Sequence, residues 1–179
     1  MIRINTKIKD AAIYKPVHYT DSRGEFFVWG TLDLLNELTA VKYLQFNTST
    51  SKKKVLRGLH YQAGDYAQGK FVWVSSGSVE DVFVDLRRDS PTFGKWDKVV
   101  LVPDGNRLWV PPGCAHGFIS LAKNTVFNYI CTDVYNKESE RTLAWDDPYL
   151  NIDWKWKKGL IISHKDQIDS KTFKDCEKY

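Results

Sequence analysis

The feature that most constrains the fold of this chain is a series of short strand-like runs, each bounded by turn-forming residues. The breaks between them include Ser75-Ser76-Gly77, Ser90-Pro91, Asp104-Gly105-Asn106 and Pro111-Pro112-Gly113. Many short strands at regular spacing are typical of an all-β sandwich or barrel. The runs that we predict to be strands are Val41–Asn47, Val55–Gln62, Lys70–Val74, Val79–Leu86, Lys98–Val102, Arg107–Val110, Gly117–Leu121 and Thr125–Tyr135.

The remaining sequence predicts a few less regular elements. Thr31 is placed to cap a short helix over Leu32–Leu38, which has helical spacing of its leucines. Residues 1–30 alternate short extended pieces with the turn Asp21-Ser22-Arg23-Gly24, and the polar tail from about Trp156 is expected to be irregular or helical. No internal repeat or linker divides the chain, so we predict one domain over residues 1–179.

Composition argues against several classes of partner. The net charge of +4 is spread along the chain, and the only run of three basic residues, Lys52-Lys53-Lys54, is too weak to indicate nucleic-acid binding. No apolar run could span a bilayer, and the first residues do not resemble a signal peptide. The three cysteines, Cys114, Cys131 and Cys176, form no CxxC motif and suit reduced thiols. We therefore expect a cytoplasmic protein with no membrane or nucleic-acid partner.

Within Val55–Gln62, Arg57 and His60 lie three residues apart around Gly58. Histidine suits proton transfer near neutral pH, and arginine suits a phosphate group. The pair therefore suggests an enzyme that deprotonates a phosphorylated small molecule, although these eight residues alone fit a surface arginine and a packed histidine better. Side chains alternate between the two faces of a strand, so Arg57 and His60, three residues apart, would point to opposite faces. Both can reach one cavity only if Gly58 carries a bulge or bend.

Because side chains on a strand alternate between its two faces, residues two positions apart share a face, and this groups further candidate residues. Phe127, Tyr129, Cys131, Asp133 and Tyr135 share one face of the last predicted strand, so two phenols could line a pocket there or be ordinary half-buried tyrosines. On another strand, Gln45 and Asn47 share a face with Tyr43. Buried amides need hydrogen-bond partners, and a polar ligand is one way to supply them.

The sequence gives little support to a metal centre or a nucleophilic hydrolase. There is no HxH pair, and Gln62 stands two residues after His60, which leaves too few ligands for a metal. There is no GxSxG motif, and Cys114 and His116 fall in a predicted turn. Neither GxGxxG nor a P-loop is present, so the sequence indicates no dinucleotide fold and no P-loop, and no metal is expected.

Taken together, seven collinear motifs resemble the dTDP-4-dehydrorhamnose 3,5-epimerase family over residues 13–168. The motifs are Asp21–Gly24, Gln45–Asn47, Val55–Gln62, Gln68–Lys70, Val84–Arg87 with Ser90–Trp96, Pro111–Phe118 and Ser163–Asp166. The resemblance implies a cupin-like jelly roll with a few short helices, a homodimer and no cofactor. It also implies inversion at carbons flanking the C4 ketone of a nucleotide-linked 4-keto-6-deoxy sugar.

The resemblance assigns four catalytic roles. His60 is the base, and Asp166 holds its tautomer and stabilises the imidazolium. Lys70 faces the C4 oxygen, and Tyr129 returns a proton on the opposite face of the sugar. A base, an acid and a charge aimed at the developing oxyanion are what an enolate mechanism requires.

The resemblance also assigns substrate contacts. Arg23 and Arg57 hold the diphosphate, and Phe26 packs beside the nucleobase. In the family's dimer, N-terminal residues act in the partner's site, so Arg23 and Phe26 are expected to act in trans. The complete set of expected binding residues is Arg23, Phe26, Gln45, Asn47, Arg57, His116, Tyr135, Glu140 and Lys165.

One position departs from the family pattern. The family has a glutamate for nucleotide recognition where this chain has Val28, which cannot hydrogen-bond a pyrimidine edge. We therefore expect either a base other than thymine or a different set of base contacts. The alternatives to a C3 and C5 epimerase are a C3-only epimerase or ketoisomerase on the same substrate class, and a non-catalytic sugar-binding jelly roll.

Overall fold

The computed structural model describes residues 1–38 and 45–179 of the chain. Fourteen strands, two α-helices and one 3₁₀ turn at Gly64–Tyr66 occur among these residues. The strands are β1 Ile2–Asn5, β2 Ala12–Lys15, β3 His18–Asp21, β4 Gly24–Phe27, β5 Gln45–Ser51, β6 Val55–Gln62, β7 Lys70–Ser76, β8 Val79–Asp85, β9 Trp96–Leu101, β10 Arg107–Val110, β11 Cys114–Ser120, β12 Thr125–Cys131, β13 Glu140–Thr142 and β14 Ile161–Ile162. The helices are α1 Leu32–Leu38 and α2 His164–Ile168.

Two sheets face each other and form the predicted cupin-like jelly-roll sandwich. The first sheet has the strand order β1-β2-β10-β7-β12-β5, and the second has the order β13-β6-β11-β8-β9, with β14 parallel to β6. Side chains from both inner faces interdigitate, as the two-residue alternation of their strands requires. The resulting core contains Val72, Val74, Val79, Phe83, Leu101, Leu108, Val110, Phe118 and Phe127.

The outer face of the second sheet is covered by the C-terminal third of the chain. Leu56, Val84 and Ile119 of that sheet pack against residues that include Trp154 and Phe173. The expectation of an irregular or helical tail was therefore incomplete. Although the segment is polar in composition, it places a strand beside β6 and buries apolar side chains that continue this core.

The outer face of the first sheet is partly covered by α1. Leu35 packs there with Tyr14, Phe71 and Trp109. The predicted N-cap is confirmed, because the backbone N–H of Leu34 donates to Thr31 Oγ1 at 3.2 Å. Neither this helix nor any other within residues 1–38 and 45–179 has the length and apolar character needed to cross a membrane.

Strand bounds agree with the sequence pattern at β6 and β10 and differ elsewhere. Residues 41–44, including Tyr43, lie outside the described residues, and the described part of the predicted strand Val41–Asn47 belongs to β5. The prediction that the last strand reaches Tyr135 was wrong, since β12 ends at Cys131. Beyond it, the backbone N–H of Tyr135 donates to the side chain of Gln45 on β5 and not to a backbone carbonyl of that strand.

Candidate active site

A cavity of about 500 Å³ opens between the two sheets. It lies where β5, β7 and β12 of the first sheet face β6, β11 and β13 of the second, and α2 closes one side. Eight of the predicted catalytic and substrate-binding residues line it together. They are Arg57, His60, Lys70, His116, Tyr129, Glu140, Lys165 and Asp166.

A β-bulge at Gly58 brings Arg57 and His60 to this one cavity. Opposite β11, His60 pairs with His116 and Arg57 pairs with Phe118, so two residues of β6 face the single residue Gly117. Gly58 has φ +123°, and a Cβ atom there would lie 2.6 Å from Gly117 Cα. Only glycine fits this conformation and this close approach. The bend that the opposite parity of Arg57 and His60 demanded is therefore present.

His60 and Asp166 form a hydrogen-bonded pair at one side of the cavity. His60 Nε2 lies 2.6 Å from Asp166 Oδ1, and the carboxylate is almost fully buried. Burial alone would raise the pKa of Asp166, but hydrogen bonds from His60, Gly58 N–H and Ser163 outweigh it and lower the pKa. An ionised carboxylate only accepts, so Nε2 must donate, and in the neutral tautomer that this favours the lone pair is on Nδ1.

The start of α2 fixes the position of Asp166. Ser163 Oγ accepts from the backbone N–H of Asp166 at 3.1 Å, which is an N-cap contact. The preceding residues Ile161–Ile162 pair in parallel with Val55–Leu56, so the helix starts beside the strand that carries His60. The C-terminal tail therefore places the Asp166 carboxylate beside His60, which lies 106 residues earlier in the sequence.

Lys70 and Tyr129 face this pair from the first sheet. Lys70 Nζ and the Tyr129 hydroxyl make no hydrogen bond to any residue within the described ranges. Burial lowers the pKa of Lys70, and the charges of Cys131, Asp81 and Glu140 oppose that shift. Burial also raises the pKa of Tyr129, which keeps the phenol protonated. The cavity therefore combines a histidine–carboxylate pair, a lysine with no hydrogen-bond partner among residues 1–38 and 45–179, and a neutral phenol.

The mouth of the cavity is polar and tied together by hydrogen bonds. Glu140 Oε2 accepts from the Tyr135 hydroxyl at 2.8 Å and is also bound by Lys165 Nζ. Gln45 Nε2 donates to Asn47 Oδ1 at 2.8 Å, so these two amides share a face as predicted. Tyr135 lies after β12 and is exposed, and none of Gln45, Asn47 and Tyr135 lines the cavity itself. They form a rim next to it.

Arg57 lies at the edge of the cavity. Its Nε donates to Ser51 Oγ at 3.1 Å, and one terminal nitrogen donates to the Thr50 carbonyl at 3.2 Å. Both partners are neutral, so the guanidinium keeps its positive charge without a carboxylate among these contacts. A cation held in this way can take an anionic group entering the mouth.

His116 lies on β11 and not in a turn, which corrects the sequence-based placement of both Cys114 and His116. The strand begins directly after Pro111-Pro112-Gly113, three residues earlier than predicted. His116 Nε2 lies 2.8 Å and 3.0 Å from the two oxygens of Asp81. Burial raises the pKa of the Cys114 thiol far above its usual range, so a thiolate nucleophile is disfavoured.

Arg23 and Phe26 are not part of the cavity. They lie on the separate hairpin formed by β3 and β4, where the Arg23 side chain is 87% exposed and binds only Asp21 among the described residues. Phe26 is 65% exposed, and Val28 follows the hairpin and is also exposed. The hairpin rests on the body of the protein through the Phe27 ring, which the Arg107 guanidinium contacts at 5.3 Å.

Two contributors to the site were missed from the sequence. Asp81 was given no role from the sequence, yet an acidic residue within the predicted strand Val79–Leu86 is itself a signal of a buried partner. Ser163 was noted only as part of a motif. A serine three residues before Asp166 is the pattern of an N-cap, which would have predicted the start of α2.

Comparison with known proteins gives a consistent picture. The family model for dTDP-4-dehydrorhamnose 3,5-epimerase matches residues 5–175. The chain is 43% identical over 169 residues to the dTDP-4-dehydrorhamnose 3,5-epimerase of Salmonella typhimurium, covering 93% of this chain and 92% of that protein.

Solved structures are similar along the whole chain. A crystal structure of dTDP-4-dehydrorhamnose 3,5-epimerase from Elizabethkingia anophelis superposes with a TM-score of 0.93 and 42% identity, covering 100% of this chain and 99% of that one. The dTDP-6-deoxy-D-glucose-3,5-epimerase of Legionella pneumophila, in complex with dTDP-4-keto-L-rhamnose, gives a TM-score of 0.91 and 40% identity, covering 98% and 94%.

Proposed function

Because the chain belongs to the dTDP-4-dehydrorhamnose 3,5-epimerase family, we propose that it inverts C3 and C5 of a dTDP-linked 4-keto-6-deoxy sugar through an enolate. It is an isomerase, and its relatives are named for this activity. The observation that carries the proposal is Lys70, a cavity-lining lysine with no hydrogen-bond partner among the described residues, in one cavity with the His60–Asp166 pair and a protonated phenol. A sugar-binding protein has no need for base, cation and phenol together.

The proposed chemistry begins at the dyad. His60 Nδ1 accepts the proton from the carbon next to the ketone, and the electrons of that C–H bond form the C=C bond of the enolate. Negative charge then develops on the C4 oxygen. The Lys70 ammonium, a cation that lines the cavity, stabilises it. Asp166 stabilises the imidazolium that results and keeps the ring in its orientation.

Reprotonation comes from the other side of the cavity. Tyr129 lies on the first sheet, whereas His60 lies on the second. The phenol gives its proton to the same carbon on the opposite face, the enolate electrons form the new C–H bond, and the ketone is restored. The phenolate then regains a proton from solvent, and the imidazolium returns its proton to solvent. The net result is inversion at that carbon with no change of oxidation state, so the mechanism needs no cofactor.

The diphosphate end of the proposed substrate fits the mouth of the cavity. We place the diphosphate at Arg57, with Glu140, Lys165 and Tyr135 at the rim beside the sugar and nucleoside. His116 contacts the sugar from the cavity wall. Arg23 and Phe26 lie on an exposed hairpin away from their own cavity, which supports a homodimer in which each hairpin completes the partner's site. The three unpaired cysteines support a reducing, cytoplasmic location.

Thymidine is the nucleoside that the relatives' names favour. Val28 cannot supply the hydrogen bond of the family's glutamate, so we propose that this chain recognises thymine by other contacts. Titration with dTDP, UDP, CDP and GDP tests this point. Tightest binding of dTDP supports it, and preferential binding of another nucleotide shows that the base has changed.

Product stereochemistry tests the proposed reaction. The enzyme is incubated with a dTDP-4-keto-6-deoxyglucose, the mixture is reduced with borohydride, and the configuration of each sugar carbon is determined. Inversion at both C3 and C5 is the expected result. Inversion at C3 alone identifies the C3-only alternative, a shift of the ketone identifies a ketoisomerase, and recovery of only the starting configuration with tight dTDP binding identifies a sugar-binding protein.

A further inference from the structure

Glutamine side chains hold the backbone of residues 133–136, the segment that carries Tyr135 from the end of β12 to the mouth of the cavity. Gln68 Nε2 donates to the first carbonyl of this segment at 2.7 Å. The Tyr135 N–H donates to Gln45 Oε1 at 2.8 Å. Gln62 supplies two more bonds to the same segment. Backbone polar groups need partners, and here three glutamine amides provide them in place of a neighbouring strand.

Gln62, the last residue of β6, holds the chain on both sides of Tyr135. Its Nε2 donates to the carbonyls of Tyr66 at 2.8 Å and Val134 at 3.1 Å. Its Oε1 accepts from the Asn136 N–H at 2.7 Å. Gln62 is 5% exposed, and a buried amide that loses such partners is costly. Because Val134 and Asn136 flank Tyr135, one side chain fixes the backbone of that tyrosine.

The anchored tyrosine reaches the cavity through Glu140. The Tyr135 hydroxyl donates to Glu140 Oε2 at 2.8 Å, and Lys165 Nζ binds the same oxygen. Glu140 and Lys165 line the cavity. Glu140 on β13 is also the strand partner of Gln62 on β6. Direct hydrogen bonds therefore lead from the Gln62 amide, through the backbone around Tyr135, to a carboxylate in the cavity wall.

We propose that Gln62 is a positioning residue for substrate binding, whose amide holds the backbone around Tyr135 so that the phenol stays on Glu140 at the cavity mouth. This inference rests on the proposed function, which places Tyr135, Glu140 and Lys165 beside the nucleotide sugar. Gln62 does not line the cavity and acts through Tyr135 and Glu140 without touching the substrate.

The substitution Gln62→Leu tests the proposal, because it removes all three hydrogen bonds of the amide and keeps a side chain of similar volume. Tyr135 then loses its anchor, and contacts that the rim makes equally to substrate and transition state weaken. Loss of such uniform binding raises KM and leaves kcat unchanged. We expect KM for the dTDP-4-keto-6-deoxy sugar to rise by about tenfold, with kcat within about twofold of wild type.

Thr125→Val is the matched control. Thr125 is fully buried at the opposite end of β12, and its hydroxyl donates to the Ala122 carbonyl at 3.0 Å. It therefore also loses a buried bond from a side chain to the backbone, but far along the strand from the rim. We expect this variant to lose stability and to keep the wild-type KM. An unchanged KM in Gln62→Leu, as in Thr125→Val, overturns the proposal.

A double variant tests whether Gln62 acts through Tyr135. Tyr135→Phe removes the hydrogen bond to Glu140, so Gln62 has little left to position in that background. The KM of Gln62→Leu/Tyr135→Phe should therefore be close to that of the weaker-binding single variant. A KM raised by the product of the two single-variant factors contradicts action through Tyr135.

Hydrogen exchange in the wild-type protein keeps the test decisive if Gln62→Leu folds poorly. The Asn136 N–H should exchange slowly with D₂O, as measured by NMR, because Gln62 Oε1 accepts its hydrogen bond. Exchange of Asn136 at the rate of an unprotected amide overturns the anchor. Absence of turnover in the wild-type protein would instead count against the proposed function, and the exchange measurement would still test how Gln62 holds this segment.

Discussion

The cavity and the β3–β4 hairpin differ in how their candidate functional residues are placed, because the former line an interior space and the latter are exposed to solvent. In the cavity, His60, Asp166, Lys70 and Tyr129 come from both sheets and from the tail, and all four line the same space. On the hairpin, Arg23 and Phe26 point into open solvent, and the contact that Arg23 makes is to its neighbour Asp21. The difference teaches that one chain gathers all four proposed proton-transfer residues by itself, whereas the proposed role of the hairpin in nucleotide binding requires a second copy.

The largest expected effect is a loss of turnover without a loss of nucleotide affinity when His60 is replaced. His60→Asn removes the base but keeps a side chain of similar polarity beside Asp166. We expect turnover to fall by about 10²- to 10⁴-fold, with dTDP affinity nearly unchanged. Steady-state kinetics and calorimetric titration measure the two quantities. Equal losses in turnover and in binding would show that His60 serves the ligand and not the reaction.

The next effect concerns the bulge that shapes the cavity. A Cβ at Gly58 meets the backbone of Gly117 at 2.6 Å in a conformation that disfavours side chains, so Gly58→Ala is expected to cost about 2–4 kcal/mol of unfolding free energy. Gly30→Ala, after the hairpin, is the matched control, because nothing lies within 4 Å of its Cβ position. Denaturant unfolding of both variants measures this. Similar, small losses would mean that β6 can relax around the added methyl group.

A hybrid dimer tests the role assigned to the hairpin. Arg23→Ala and His60→Asn protomers, each weakly active, are mixed after mild dissociation. If Arg23 acts in trans, one of the two sites in each hybrid has both residues intact, and activity should rise to about a quarter of wild type. If mixing gives only the average of the two parents, Arg23 acts in its own subunit or not at all.

A smaller effect is expected in the pH dependence at the cavity. The pKa of Lys70 is lowered by burial and that of Tyr129 is raised, so Lys70 is the first of the two to lose its proton on the alkaline side. kcat should therefore decline at a pH below the usual range for lysine. Lys70→Arg retains a cation at high pH and should flatten that decline, even if its kcat is lower overall. An unchanged alkaline limb in Lys70→Arg would assign the limb to another group.

Sequence patterns predicted the parts of the molecule that packing and parity control. β6 and β10 match the predicted bounds, and β10 lies between the turn-forming runs Asp104-Gly105-Asn106 and Pro111-Pro112-Gly113. The need for a bulge at Gly58 also followed from parity alone. The end of β12 did not, because Thr132–Tyr135 keep a strand-like composition while their backbone bonds to Gly69 and Gln45. The burial of Asp166 depended on long-range packing of a polar tail, which local patterns do not encode.

Solvent deuterium exchange tests the central claim most directly. In D₂O, a dTDP-4-keto-6-deoxy sugar incubated with the enzyme should lose its proton NMR signals at both C3 and C5 at a rate comparable to turnover, since each proton removed is replaced from the solvent side. The same signals should persist with His60→Asn. Retention of both protons by the wild-type enzyme, under conditions where the nucleotide sugar is bound, would contradict the proposed proton exchange.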